Sequence, residues 1–276
     1  MIQGFGTREI TDQILRAFVK SANGIMHEKQ KVVGQYEQTV WPTFEKMNSP
    51  VAVWGCLRGT EAVIDEAGQK EQDWYFFDHA YVMNEDKHNV NFKLKDRVYR
   101  CTKNAQIINE IDELSDDDYK RIEKYEEHIQ LEPWKKDGKY ILVFEPSDFA
   151  KRWWEVPNWT EDTINLLKAN TDLEIRIRKK NSLVSFESEV KGAKAVVSLQ
   201  SAAAIQAHIW GIPGYCAEMS AAYPVSHSMD MIEQGLDSIQ YIPDHHRVRW
   251  LNSILANQYT MTEIADGTCY NRLKDK

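Results

Sequence analysis

Between residues 140 and 216 the chain repeats one pattern: a short apolar run, a helical stretch, then another short run. Tyr140-Ile141-Leu142-Val143-Phe144 is the most strand-like run of the sequence. It is followed by a helix near 160–169, a strand at 173–177, a short helix near 185–190, a strand at 195–198, a helix over 201–210 and a strand near 213–216. Strands alternating with helices predict a parallel sheet with right-handed crossovers.

The first half carries a looser version of the same pattern. A short strand over Ile2 to Phe5 leads into a helix with Ile10, Ile14, Leu15, Ala17 and Phe18 on one face. Val51 to Trp54 is a second strand, followed by Gly55-Cys56-Leu57-Arg58-Gly59 and a helical stretch over 61–67. A third strand, 73–77, is expected to stop at Asp78-His79, with an irregular segment through Val98-Tyr99-Arg100-Cys101 beyond it. Ser115 and the three aspartates after it predict a capped helix running to about Ile129. The polar, turn-rich Pro133 to Gly138 then marks a junction. Two α/β domains are therefore expected, 1–135 and 136–276, with terminal helices from His245 onward packing back across the two lobes.

Composition narrows the classes. With 276 residues, 42% apolar and 11% aromatic, the chain can build a substantial core, which excludes disordered and fibrous readings. Its apolar runs are far shorter than the roughly 20 residues a bilayer span needs, and residues 1–23 lack the apolar core of a signal peptide. A cytoplasmic protein is expected. Cys56, Cys101, Cys216 and Cys269 show no paired spacing, so incidental buried thiols are expected rather than a metal knuckle or disulfide framework. A formal charge of −8 disfavours a broad nucleic-acid surface, which needs excess lysine and arginine. Phosphate-loop, dinucleotide-fingerprint, serine-hydrolase and zinc-protease motifs do not occur. Asp116-Asp117-Asp118 reads as a helix start, and adjacent His245 and His246 point apart on a helix, so no metal site is expected.

The richest constellation runs from Lys194 to Pro213. A buried strand ends at Ser198, turns, and enters a helix opened by Ser201 and Ala202-Ala203-Ala204. Small residues at a helix start leave backbone N–H groups approachable by an anion, and ligands of open α/β sheets lie at the carboxyl ends of the strands. Capping by Ser201 is the ordinary reading of the same serine. Arg176 and Arg178 alternate with Ile175 and Ile177, so both point to one face of their strand, and Lys179 continues past it. Guanidinium groups there would clamp a diphosphate.

The run with its serine-led turn and Gly211-Ile212-Pro213 resembles the C-terminal domain of GT-B glycosyltransferases, especially capsule and lipopolysaccharide sugar transferases. The likeness extends from about Tyr140 to Met261, and the Arg249 to Ile264 ending is similar to phage-encoded proteins. Gln206 stands where that family has an acidic residue that often binds the donor ribose. The resemblance implies two Rossmann-like lobes with parallel sheets and a cleft between them. It further implies sugar transfer from a nucleotide-sugar, UDP-linked in the first instance, with no metal or other cofactor. Arg176, Arg178, Lys179, Ser198, Ser201, Ala202 and Gln206 would hold the donor.

Asp78 and His79, directly after a buried strand, are the candidates for the base that takes the acceptor proton. Arg58, Glu218 and Ser220 are further cleft candidates. The acceptor would be a glycan, or a hydroxymethylated base in phage DNA, in which case the protein would work in the host cytoplasm. A nucleotide-binding protein without catalysis, or a nucleotide-sugar epimerase of the same fold, would use the same pocket.

Overall fold

The computed structural model describes residues 1–7, 9–27, 30–32, 38–40, 48–82, 97–236 and 239–276. The chain divides into two compact units, Met1–Gln106 with Asn257–Lys276, and Ile107–Ala256.

In the first unit the order is β1 (Gln3–Phe5), α1 (Glu9–Ser21), β2 (Ile25–His27), the antiparallel pair β3 (Gln30–Val32) and β4 (Gln38–Val40), β5 (Val51–Trp54), α2 (Thr60–Gln69), β6 (Trp74–His79) and β7 (Val98–Lys103). The second unit holds α3 (Asp116–Ile122), β8 (Tyr140–Phe144), α4 (Asp148–Trp153), α5 (Trp159–Asn170), β9 (Glu174–Arg178), α6 (Phe186–Lys191), β10 (Ala193–Ser198), α7 (Ala202–Ile209), β11 (Gly214–Cys216) and α8 (Asp244–Ala256). The chain then returns to the first unit as β12 (Gln258–Thr260), α9 (Met261–Ala265) and α10 (Thr268–Leu273).

The first sheet is ordered β12-β7-β6-β5-β1-β2, and the second β11-β10-β8-β9. Strands β2, β1, β5 and β6 are mutually parallel, as are all four of the second sheet, while β7 and β12 extend the first sheet antiparallel. Each parallel set repeats one arrangement: its first strand lies between the second and third, and the fourth lies outside the third. The chain therefore reverses its direction of travel across the sheet between β1 and β5, and again between β8 and β10. Those are the topological switch points, where the crevices of open α/β sheets form at the carboxyl ends of the strands. The chain thus has a Rossmann-like α/β fold in two units.

Apolar burial fixes both sheets. In the first unit Ile14, Leu15 and Phe18 of α1 meet Ala52, Tyr75 and Phe77 of the sheet, and Tyr259, Ile264 and Leu273 of the returning segment complete that core. The side chain of Ile10, expected on the same helical face, lies outside the described residues. In the second unit Ile141, Val143, Ala195 and Val197 pack against Trp159 and Leu167 of α5 and against Ile232. Each fully buried Val, Leu, Ile or Phe among them contributes about 1.5–3 kcal/mol relative to exposure.

The expected junction at 135/136 falls inside the second unit. Its polar, turn-rich sequence is not a linker, because the backbone there is held by the end of α7. Glu132 N–H donates to Ile209 O at 2.8 Å, Lys135 N–H to Gly211 O at 2.8 Å, and the Trp134 indole to Ile242 O at 2.7 Å. Gly211 is required at that contact: its φ is +74°, and a Cβ would sit 2.0 Å from the Pro133 carbonyl oxygen. Residues before α3 are tied into the same unit, with Asn109 Nδ2 donating to Glu218 O and Asp112 N–H to Ser253 Oγ.

Ser115 caps α3 as expected, in a reciprocal pair with Asp118, but the helix ends at Ile122 and a 3-10 turn replaces its expected continuation. The segment expected to be irregular around Val98 is strand β7, and β6 runs on through Asp78 and His79. The physical reason is a cross-strand pair: Asp78 faces Arg100, so two charged residues occupy ladder positions without breaking it.

Candidate functional site

The switch point of the second unit is bounded by two loops, 145–147 after β8 and 199–201 after β10. Each leads into a serine-capped helix. Ser147 Oγ accepts the Ala150 N–H, and Ser201 Oγ accepts the Ala203 N–H, both at 3.2 Å. Ser198 is fully buried, and its Oγ accepts the Ser201 N–H at 3.0 Å. The two serines singled out in the sequence are thus the turn's internal scaffold: Ser198 is too deep to reach a ligand, whereas half-buried Ser201 accepts one N–H and keeps its O–H to donate. What the scaffold leaves open is Ala202, an exposed residue whose backbone N–H has no acceptor among the described residues. Ala203 and Gln206, half-buried, lie on the same face of α7.

Two side-chain pairs flank this opening. On the β8 side, Glu145 accepts hydrogen bonds from Lys151 Nζ at 2.5 Å and Thr160 Oγ1 at 3.0 Å. Lys151 and Thr160 also border a surface groove of about 450 Å³ at the α4–α5 joint, with Asn158, Asn165 and Lys168 opposite. On the β10 side, Gln200 Oε1 accepts from the Trp154 indole at 2.5 Å. The sequence reading missed Glu145 and Gln200 as site residues, and took Trp154 for a stacking surface rather than a hydrogen-bond donor. The signal that finds them is strand order, which two isolated loops cannot disclose.

The arginines do not gather at this turn. The register aligns Ser198 with Phe144 and Phe144 with Arg178, which puts Arg178 on the same sheet face but two strands, roughly 10 Å, away. Its guanidinium is engaged by Glu189, by the Val184 carbonyl and by the Phe186 ring. Arg176 lies one pleat further back, doubly bonded to Glu174 and stacked 3.7 Å from the Tyr140 ring centroid. Lys179 is exposed beyond the strand end. Both guanidinium groups are consumed by carboxylates on β9 and α6, a local pairing that alternation along the strand does not reveal.

Glu218 sits exposed in the loop after β11, whereas Ser220 is fully buried and accepts the Ala222 N–H at 3.2 Å, so it forms a turn rather than lining a site. Below the turn, α7 is anchored by Arg247, which is 1% exposed. Its guanidinium donates to the Glu132 and His208 carbonyls at 2.9 and 2.6 Å and stacks 3.9 Å from the Trp134 centroid. This buried cation, invisible in the sequence as anything but one of two helix arginines, fixes the end of α7 relative to α8.

In the first unit, Asp78 has both carboxylate oxygens committed, Oδ1 to the His79 backbone N–H at 2.8 Å and Oδ2 to Arg100 at 2.7 Å. Arg100 in turn lies over the Tyr81 and Phe76 rings, and the Asp78 charge raises its already high pKa against the cost of burial. Asp78 is therefore an ion-pair partner first. His79 is exposed at the carboxyl end of β6, its ring edge-on to Trp54 with centroids 5.5 Å apart. Arg58 occupies a left-handed position, φ +64°, in the loop before α2, whose N-cap Gly59 provides no side-chain bond. Cys56 in that loop is pushed up to about 12, by burial first and then by the Asp78 and Glu61 charges, so it is not a nucleophile. Cys101, Cys216 and Cys269 are buried, burial raises the pKa of the Cys101 and Cys216 thiols, and all four thiols are free. Among the described residues no cluster of three metal-ligating side chains occurs, and no helix is long and apolar enough to cross a membrane.

No family model matches the chain, and no curated protein matches it. Among solved structures it is similar to the Thermosulfurimonas dismutans KpsC beta Kdo 2,7 transferase. The TM-score is 0.53 at 12% identity, covering 98% of this chain and 99% of that one. It is also similar to the KpsC beta Kdo 2,4 transferase of the same organism, with a TM-score of 0.45 at 10% identity over 93% and 90% of the two chains. At such identity the first likeness concerns the fold: the two-unit Rossmann-like architecture is shared over nearly the whole chain.

Proposed function

We propose that the protein is a glycosyltransferase that moves a sugar from a nucleotide-linked donor to an acceptor hydroxyl. The observation that carries this reading is the opening at the switch point between β8 and β10, where Ala202 N–H and the Gln200 carboxamide face no protein acceptor. Oxygen-rich phosphates suit such a place, and stabilising charge on the departing nucleotide is the main task of this chemistry. The fold shared with a Kdo transferase supports the same class, and makes an acidic sugar one of the donors to try beside UDP-linked ones.

The acceptor is proposed to be a glycan, which accords with a net charge of −8 better than DNA does. Metal-independent transfer fits a donor site built from backbone and carboxamide N–H groups. Of the two base candidates, His79 is the one we assign, since the Asp78 carboxylate is spent on Arg100.

The test is a single-turnover assay with radiolabelled nucleotide sugars, including a nucleotide-linked Kdo, on the full chain. Transfer by the wild type, lost by 100-fold or more in His79→Ala with nucleotide affinity kept within twofold, is the expected result. Absence of transfer and hydrolysis with every donor refutes the reading. Conversion of a free nucleotide-sugar without any acceptor would replace it by an epimerase.

A further inference from the structure

The Trp154–Gln200 pair spans the switch point, joining the end of α4 to the loop after β10. An indole nitrogen can only donate, so the carboxamide atom that meets it must be the oxygen, and the orientation of Gln200 is settled by chemistry rather than by choice. Its amide nitrogen then points elsewhere. That nitrogen has no acceptor among the described residues, and it is not among the buried unpaired atoms, so it reaches solvent. Held this way, Gln200 turns two N–H donors outward and its oxygen toward Trp154, two residues before the unpartnered N–H of Ala202.

From this geometry, and resting on the donor-site reading above, we infer that Gln200 is a specificity-determining residue that binds the phosphate oxygens of the donor, and that Trp154 is its positioning residue. Its two outward N–H groups donate to phosphate or carboxylate oxygens and disfavour groups that must themselves donate there. A glutamate at the same place would reverse that preference, and a freely rotating glutamine would lose it in part, because half of its orientations present oxygen to an anion.

Calorimetric titration of the full chain with CMP, UMP, UDP and GDP, and with the matching nucleosides, tests the inference. For whichever nucleotide the wild type binds, Gln200→Glu should weaken affinity at least 30-fold and Gln200→Leu about tenfold. Trp154→Phe should weaken it about fivefold while leaving nucleoside affinity within twofold, a split that general loosening of the fold would not produce. Nucleotide affinities within twofold of wild type in both Gln200 variants overturn the inference and leave the donor site standing. Failure of the wild type to bind any of the four nucleotides overturns both. Should Trp154→Phe not fold, the two Gln200 variants decide the matter alone.

Discussion

Acidification should destabilise the protein through one residue, His208, in the last turn of α7. The imidazole is fully buried. Its Nδ1 lies 2.7 Å from the Ala204 carbonyl, so that nitrogen carries the proton, and Nε2 faces Ser226 Oγ at 2.9 Å. Burial first, then the neighbouring Arg247 and His227, pushes its pKa down to about 4, while the Ala204 carbonyl opposes the shift. The unfolded chain has an ordinary histidine near 6.5, so between those two values it binds a proton that the folded protein refuses. Stability contributed by the neutral ring is therefore complete above pH 6.5 and is lost as pH falls toward 4. The linkage amounts to about 2 kcal/mol at pH 5 and roughly 3 kcal/mol at its limit. Urea unfolding followed by tryptophan fluorescence at pH 7.5, 6 and 5 measures it, with Trp134 and Trp250 both about 6 Å from the ring as reporters. Carboxylates titrate in the same range, so the decisive quantity is the difference between wild type and His208→Gln. That difference should shrink by about 2 kcal/mol from pH 7.5 to 5, and a difference independent of pH would refute the reasoning.

Arg247→Ala should cost about 3–5 kcal/mol, because it strands the buried His208 carbonyl and the part-buried Glu132 one and empties the space over Trp134, whereas Asp244→Asn should cost under about 1 kcal/mol, since that carboxylate is 77% exposed; equal losses in denaturant titrations would contradict this. Gly211→Ala should be destabilising by at least about 2 kcal/mol, from a left-handed backbone and a collision with the Pro133 carbonyl, and an unchanged melting temperature would show that the segment yields. Asp78→Asn should destabilise the first unit by about 2–4 kcal/mol by leaving the Arg100 guanidinium, 12% exposed, without its anion. Recovery of that stability in Asp78→Asn/Arg100→Met would confirm the cause.

Several features were legible because they are local. The serine caps at Ser115 and Ser201, the apolar strand Tyr140–Phe144 and the amphipathic face of α1 each depend on residues within a few positions of one another. Others were illegible because they depend on which side chains the fold sets beside one another. Arg176 and Arg178 read as ligand-binding cations until Glu174, Glu189 and Tyr140 are seen beside them. Strand β7 was hidden because its charge, Arg100, is balanced by a residue 22 positions earlier. The Pro133–Gly138 segment has the composition of a linker, yet it is pinned by the Lys135 N–H on the Gly211 carbonyl and the Trp134 indole on the Ile242 carbonyl.

Periodicity and turn chemistry alone determined that this chain alternates strands and helices in two α/β halves, since burying apolar runs of that length and spacing admits few other solutions. Strand order was decided only in the tertiary structure, and with it the placing of the switch point that brings Glu145, Trp154, Gln200 and Ala202 together. Which terminal helices return was decided there too: α8 stays in the second unit, whereas residues 257–276 complete the core of the first. The physical reason is that side-chain periodicity records which face of an element is buried, whereas the identity of the neighbour that buries it is a non-local choice, made by the packing of the whole sheet.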